Sequence, residues 1–231
     1  VLHMDGILPF LTPPKIILFD WHGTLVNTHD AMYQTIEEML PRLEELDLIK
    51  YLIPEQQAKT KEDEKLLRYI RIFRHLHPRV LAERRISRTD IFDALFDDNE
   101  VAKDIAHKAY DEIYRKHYGN VSPFQDGIFE YLMCLKRAGI KFGVVTNRSR
   151  EYLDQELKAV DQGRWQNLFD TTVCGNESRH YKPDPSSLLE ACDAINEPLD
   201  LSVWYVGDSV TDMVTSARAQ ATSVFYNGAM W

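Results

Sequence analysis

The sequence predicts an α/β fold: a Rossmann-like parallel-sheet core with an inserted all-α cap domain. Three observations carry this reading. A short apolar, β-branched run over residues 15–20 follows Pro13-Pro14 near the start. From residue 125 onward, similar short runs alternate with helical stretches. Between the two, residues 27–122 show only helical periodicity, and the stretch is too long to be a loop. The expected domains are therefore a core of residues 1–26 and 123–231, and a helical cap of residues 27–122.

The elements follow in order. The first strand, residues 15–20, ends on Asp20, and Gly23 permits a tight turn just beyond it. Asn27 or Thr28 is a candidate cap for a helix to about residue 46. Residues 61–76 place Leu66, Leu67, Ile70 and Phe73 on one helical side. Ser87 or Thr89 is suited to cap a helix through residue 96. Residues 100–118 carry Val101, Ile105, Ala109 and Ile113 at helical spacing. A helix over 125–138 is stopped by Gly139. Strand 140–146, helix 149–160, strand 171–173, helix 185–194, strand 203–206, helix 211–219 and strand 222–226 complete the alternation. Internal repeats and low-complexity tracts are absent.

Composition narrows the function classes. The chain has 231 residues, 44% of them apolar, with a net charge of −9 and a sequence pI near 5.4. An acidic chain lacks the basic face that general nucleic-acid binding requires, and it is repelled by anionic membranes. No apolar run is long enough to span a bilayer. Residues 1–14 lack the charged lead and long apolar stretch of a signal peptide. Cys134, Cys174 and Cys192 have no zinc-ligand spacing and read as reduced, buried, inert thiols. The expectation is a cytoplasmic protein acting on a small molecule, with neither a nucleic acid nor a membrane as partner.

In a parallel sheet, ligands bind beyond the carboxyl ends of the strands. Four polar clusters fall there: Asp20, His22 and Thr24; Thr146-Asn147; Lys182; and Gly207-Asp208-Ser209 with Asp212. Asp20 and Asp208 are carboxylates suited to one hard cation such as Mg²⁺. Lys182, the Thr146 hydroxyl and the backbone N–H at Asn147 can neutralise and orient a phosphoryl group. A carboxylate held against that group can attack it. His22, two residues past Asp20, can move protons near neutrality.

With these motifs in this order, the chain resembles the haloacid dehalogenase superfamily of hydrolases, in its helical-cap group. The motifs are Asp20-Trp21-His22-Gly23-Thr24, Val144-Val145-Thr146-Asn147, Lys182-Pro183-Asp184-Pro185, and Val206-Gly207-Asp208-Ser209 with Asp212. The resemblance implies a phosphatase that hydrolyses phosphoric monoesters through an aspartyl-phosphate. It makes Asp20 the nucleophile and a Mg²⁺ ligand, with the His22 carbonyl and Asp208 as further ligands. Thr146, Asn147 and Lys182 would bind phosphate. Gly23, Thr24 and Asp212 would support the site, Asp212 by steadying the metal or Lys182.

One departure bears on mechanism. Phosphatases of the superfamily usually carry a second Asp where this chain has His22. Dehalogenases and phosphonate hydrolases also depart there, and Trp21 is similar to the latter, which use a cap lysine; Lys50, Lys59, Lys61 and Lys65 are the candidates. Three alternatives stay open: His22 as a working acid/base in a phosphatase, carbon–phosphorus or carbon–halogen hydrolysis, and a non-catalytic phosphate-binding module. An arginine-rich stretch over 68–88 reads either as a solvated face or as anion contacts for substrate. Arg148 and Arg179 are alternative anion contacts.

Overall fold

The structure, a computed structural model, describes residues 11–228. The reading of residues 1–14 as a non-signal leader falls mostly on residues outside that range. The chain divides into two compact units: one combines the residues up to Asn27 with those from Ser122 onward, and the other is Thr28–Val121.

The first unit is built on five parallel strands, β1 (Ile16–Phe19), β4 (Lys141–Val145), β5 (Thr171–Val173), β6 (Val203–Gly207) and β7 (Thr222–Phe225), in the order β5-β4-β1-β6-β7. β1 is central because all four of its side chains are buried, which only an interior strand covered on both faces satisfies. Phe19 sits in register with Val144 of β4 and Val206 of β6. The carboxyl ends of three strands therefore lie side by side. The helices α6 (Ile128–Arg137), α7 (Arg150–Ala159), α8 (Ser186–Ala194) and α9 (Val210–Arg218) alternate with these strands. An α/β Rossmann-like architecture follows, as the alternation predicts.

Two apolar clusters hold the sheet. Ile16, Leu18, Val145, Val173, Val203 and Tyr205 pack with Leu188, Ala191 and Cys192 of α8. A second, aromatic cluster fixes the loop after β1. The Trp21 ring meets Trp165 edge-on at 5.9 Å and Phe169 at 6.2 Å, and Phe169 meets Phe142 at 5.8 Å. Cys174 and Cys192 are buried, and desolvation pushes their thiols up to about 12 and about 11. Cys134 is exposed, against the expectation of burial, because it falls on the outer side of α6.

Where the chain leaves this unit and re-enters it, β2 (Val26–Asn27) and β3 (Ser122–Pro123) pair antiparallel, Val26 opposite Pro123. The sequence suggests only helix there. Two residues are too few to show an alternating pattern.

The second unit contains α1 (His29–Met39), α2 (Lys61–Phe73), α3 (Pro78–Glu83), α4 (Arg88–Phe96) and α5 (Glu100–Tyr114). Several ends differ from the sequence reading. α1 stops at Met39, and a tighter turn over Leu40–Arg42 follows, because Pro41 has no N–H to continue the α-helical ladder. α2 stops at Phe73, where Arg74 turns left-handed at φ 56°. Phe73 is consequently exposed and stacks on Tyr69, 4.5 Å away, rather than entering the core. Ser87, not Thr89, caps α4 through a reciprocal pair with Asp90. The buried face of α5 is Ala102, Ala106, Ala109, Tyr110 and Ile113, while Val101 is exposed. At the first turn of that helix Ala102 takes the inner place.

Six of the seven arginines of residues 68–88 are engaged inside this unit. Arg68 pairs with Glu55 and Glu64, Arg71 donates to the Ile53 carbonyl and Arg74 to the carbonyls of Ile70 and Arg71. Arg79 pairs with Glu83, Arg84 with Asp30, and Arg88 with Asp111. The geometry fits a solvated, internally paired face better than a set of substrate contacts.

Trp165 is fully buried against Trp21. Trp165→Ala is expected to lower unfolding free energy by about 3–5 kcal/mol, read by urea denaturation. A loss below about 1 kcal/mol would show that the aromatic cluster does not hold the β1 loop.

Candidate active site

The carboxyl ends of β1, β4 and β6, with the loop that follows β5, present the four clusters found in the sequence. Asp20 follows β1 directly, and its N–H donates to the Val206 carbonyl at 2.8 Å. Beyond it the chain turns back tightly. The Trp21 carbonyl accepts from the N–H groups of Leu25 and Val26, and the Gly23 N–H donates to Val26. Gly23 has φ 79°, and a Cβ there would fall on the Asp208 carboxylate. Both conditions call for glycine. The Thr24 hydroxyl reaches toward Asp208 Oδ1 at 3.5 Å. His22 is half-buried on this turn and bridges Val26.

Lys182 is the centre of the site. Its ammonium is 3.0 Å from Asp20 Oδ1, 2.8 Å from Asp212 Oδ1 and 2.8 Å from the Tyr205 hydroxyl, with the Val145 carbonyl at 3.3 Å. Its side chain is 3% exposed, so these partners are what replace water. Burial works against the charged form, but Asp20 and Asp212 outweigh it and raise the lysine above its ordinary value. The loop that carries it is clamped by Asn147, whose side-chain amide donates to the Lys182 carbonyl at 3.1 Å and whose oxygen accepts from the Lys182 N–H at 2.8 Å.

Asp212 belongs to the first turn of α9. Its Oδ2 accepts from the N–H groups of Asp208 and Ser209 and from the Ser209 hydroxyl, while its own N–H donates to Ser209 Oγ. This capping box places Asp212 against Gly207, where any Cβ would collide with it. Burial opposes the ionised Asp212, yet Lys182 and the hydrogen bonds from Ser209 and Tyr205 hold it below the usual carboxylate range. Asp20 goes the other way. Burial, aided by the neighbouring Asp212 and Asp208 and opposed by Lys182, pushes it up to about 8.

Thr146 is buried after β4, and its hydroxyl oxygen accepts from the Arg148 N–H at 3.1 Å. Its own proton can still be donated. Arg148 itself grips the buried Glu156 at 2.8 and 3.2 Å, which ties its guanidinium to α7 rather than to a substrate. Arg179 is exposed, with its backbone N–H on Glu190. The structure thus brings together Asp20, Lys182, Asp208 and Asp212, with Thr24 beside Asp208 and Asn147 clamping the Lys182 loop. It ties Arg148 elsewhere.

Oxygen atoms of Asp20, Asp208 and Asp212 lie within 4.8 Å of one another. An all-carboxylate set suits a hard divalent cation such as Mg²⁺. Asp212 already accepts from Lys182, Tyr205, Ser209 and Asp208, which leaves Asp20 and Asp208 as the side chains with oxygens for a cation.

The sequence matches the family of haloacid dehalogenase-like hydrolases over residues 17–226. The chain belongs to that family. A phosphoglycolate phosphatase of Thiobacillus denitrificans is 30% identical over 226 residues, 94% of this chain and 84% of that protein. A PpaX-type protein of Caldanaerobacter subterraneus is 29% identical over 121 residues, which spans 52% of this chain and about half, 53%, of that protein. The crystal structure of a haloacid dehalogenase-superfamily hydrolase, subfamily IA, from Geobacter sulfurreducens shares the fold, with TM-score 0.59 at 19% identity over 92% of this chain and 87% of that one. The protein is a hydrolase of this family.

Two participants escape sequence reasoning: the Tyr205 hydroxyl and the Asn147 side chain. The only trace of Tyr205 is a phenol inside an otherwise apolar strand seven residues before Asp212.

The raised Asp20 has a sign that can be tested. Its value in the folded, cation-free protein lies above the ordinary 3.8. Its contribution to stability is therefore complete below pH 4 and lost progressively as pH rises toward 8. In EDTA, Asp20→Asn is expected to match the wild-type Tm near pH 4 and to exceed it increasingly up to pH 8. Mg²⁺ added at pH 8 is expected to stabilise the wild type more than the variant. A pH-independent Tm difference would contradict the assignment.

Proposed function

We propose that this hydrolase is a Mg²⁺-dependent phosphatase that cleaves a small phosphate ester through an aspartyl-phosphate on Asp20. The observation that carries the reading is the buried Lys182 ammonium touching both Asp20 and Asp212 beside the Asp208 carboxylate. Fixed positive charge in surroundings that exclude water supports this reading, because a phosphoryl group gathers negative charge as it is transferred. The name of the Thiobacillus relative, phosphoglycolate phosphatase, supports a small phosphorylated substrate.

In this reading Asp20 and Asp208, with the His22 carbonyl, hold Mg²⁺, which supplies charge neutralisation for the phosphoryl oxygens. Lys182 and the Thr146 hydroxyl bind those oxygens, with the N–H at Asn147. An Asp20 carboxylate oxygen attacks phosphorus, an Asp20–phosphorus bond forms and the ester P–O bond breaks. His22 gives a proton to the leaving oxygen. It then takes one from the water that attacks the acyl phosphate, and free phosphate and the Asp20 carboxylate result. Thr24 and Gly23 keep Asp208 in place, and Asp212 keeps Lys182 charged. The helical unit, Thr28–Val121, serves as a cap that selects the substrate and excludes bulk water. The protein works in the cytoplasm on a small molecule, without a nucleic acid or a membrane as partner.

With p-nitrophenyl phosphate and Mg²⁺ as the assay, Asp20→Asn is expected to lower kcat by about 10³-fold or more. EDTA should remove wild-type activity and Mg²⁺ restore it. Wild-type turnover in Asp20→Asn would refute the covalent mechanism. His22→Asp addresses the proton transfers. It should retain activity and move the acid limb of the pH–rate profile downward, as expected when a carboxyl replaces an imidazole; an unmoved profile would exclude His22 as the acid/base.

A further inference from the structure

Tyr205 lies within β6, fully buried, and its ring packs with Leu18, Val145 and Leu188. Apolar packing accounts for the ring, since phenylalanine would fill the same space. It does not account for the hydroxyl. A buried hydroxyl is costly unless its hydrogen bonds are made. Here the oxygen accepts from Lys182 Nζ at 2.8 Å, and its proton is shared between the Val145 carbonyl at 2.9 Å and Asp212 Oδ1 at 3.1 Å.

Counting donors gives this contact its meaning. An ammonium has three N–H groups and no acceptor. Its three nearest partners are Asp212, Tyr205 and Asp20. Two of these stay chemically the same during the proposed reaction. The third, Asp20, loses its negative charge when it is phosphorylated. With two N–H groups held by Asp212 and Tyr205, the third lies nearer Asp20, at 3.0 Å, than the Val145 carbonyl, at 3.3 Å, and so faces the phosphoryl group that Asp20 attacks. The two fixed partners also differ. Asp212 is an anion and offsets part of the ammonium's charge, whereas the phenol is neutral and leaves that charge directed at the substrate.

We propose that Tyr205 is a positioning residue: its hydroxyl holds the Lys182 ammonium on the phosphoryl group while Asp20 passes from carboxylate to acyl phosphate and back. This rests on the phosphatase reading above. The prediction concerns the hydroxyl alone, so Tyr205→Phe is the decisive change.

The test compares the full-length wild type and Tyr205→Phe, both with Mg²⁺, by thermal denaturation, calorimetric titration with inorganic phosphate and hydrolysis of p-nitrophenyl phosphate. Losing one hydrogen bond to a charged group is expected to raise the phosphate Kd and lower kcat/KM by about five- to thirtyfold. In a Lys182→Met background the same substitution should change phosphate Kd by less than about twofold, because its effect runs through the lysine. An unchanged Kd and kcat/KM would overturn the proposal. So would an equal loss in the Lys182→Met background, or a fall only in the folded fraction with Kd per folded molecule unchanged. Should Tyr205→Phe not fold, 3-fluorotyrosine placed at position 205 keeps the shape and weakens the oxygen as an acceptor. It should then weaken phosphate binding, and unweakened binding would overturn the proposal. Failure of the phosphatase reading has a different signature: the wild type itself would neither bind phosphate nor hydrolyse the ester.

Discussion

The site depends on one buried ammonium. Lys182 without partners would be too costly to keep charged in a dry interior, and Asp20 and Asp212 would repel each other without Lys182 between them. Neither the cation nor the acids can stand alone there. The rest of the sheet unit reads as the geometry that brings them together. β1 delivers Asp20 from the middle of the sheet, α9 delivers Asp212 from its first turn, and the Asn147 amide clamps the loop of Lys182 on both sides of its peptide. Replacing such a buried pair with apolar residues is often neutral or stabilising. Stability therefore gives little reason to keep it, and chemistry gives a strong one.

The carboxylates divide the work by environment rather than by type. Asp212 accepts from Lys182, Tyr205, Ser209 and the Asp208 N–H, and these contacts keep it ionised. Asp20 has Lys182 as its close cationic partner, and burial with two acidic neighbours holds it near neutral in the absence of a cation. In the proposed mechanism a divalent cation bound there would compete with the proton on Asp20. The same environment that makes Asp20 reluctant to ionise makes it responsive to an ion that can take the proton's place. Steric limits complete the arrangement: side chains at Gly23 or Gly207 would occupy the volume of Asp208 and Asp212.

Much of this was legible from local pattern. The run Ile16-Ile17-Leu18-Phe19 is apolar at every position, which marks an interior parallel strand, and the polar clusters follow strand ends where the chain has nowhere else to place them. What escaped the sequence was decided by tertiary contact. The sequence places Tyr205 only within a strand, because only the fold shows where its hydroxyl lands. Arg148 looked like an anion contact because Glu156 lies eight residues away on a helix whose buried face cannot be read at that resolution. Val101 and Phe73 had the right spacing but the wrong place, at the first and last turns, where a helix no longer faces its neighbours. The pairing of β2 with β3 was too short to announce itself.

The position of β1 has a consequence for how the protein comes into being. Ile16 pairs with Lys141 and with Val203, so β1 finds both its neighbours only after β6 has been made. A ribosome making residues at about 5–20 per second leaves that strand unpaired for roughly ten seconds or longer. During that time four adjacent large apolar residues, the type of segment that seeds aggregation, need shelter. The helical segment, Thr28–Val121, is complete before β4 is made and can organise while β1 waits. Asp20, the proposed nucleophile, is thus made well before the residues that surround it. A nascent chain stalled before β6 has Asp20 but neither Asp208 nor Asp212, so the three-carboxylate cluster cannot form.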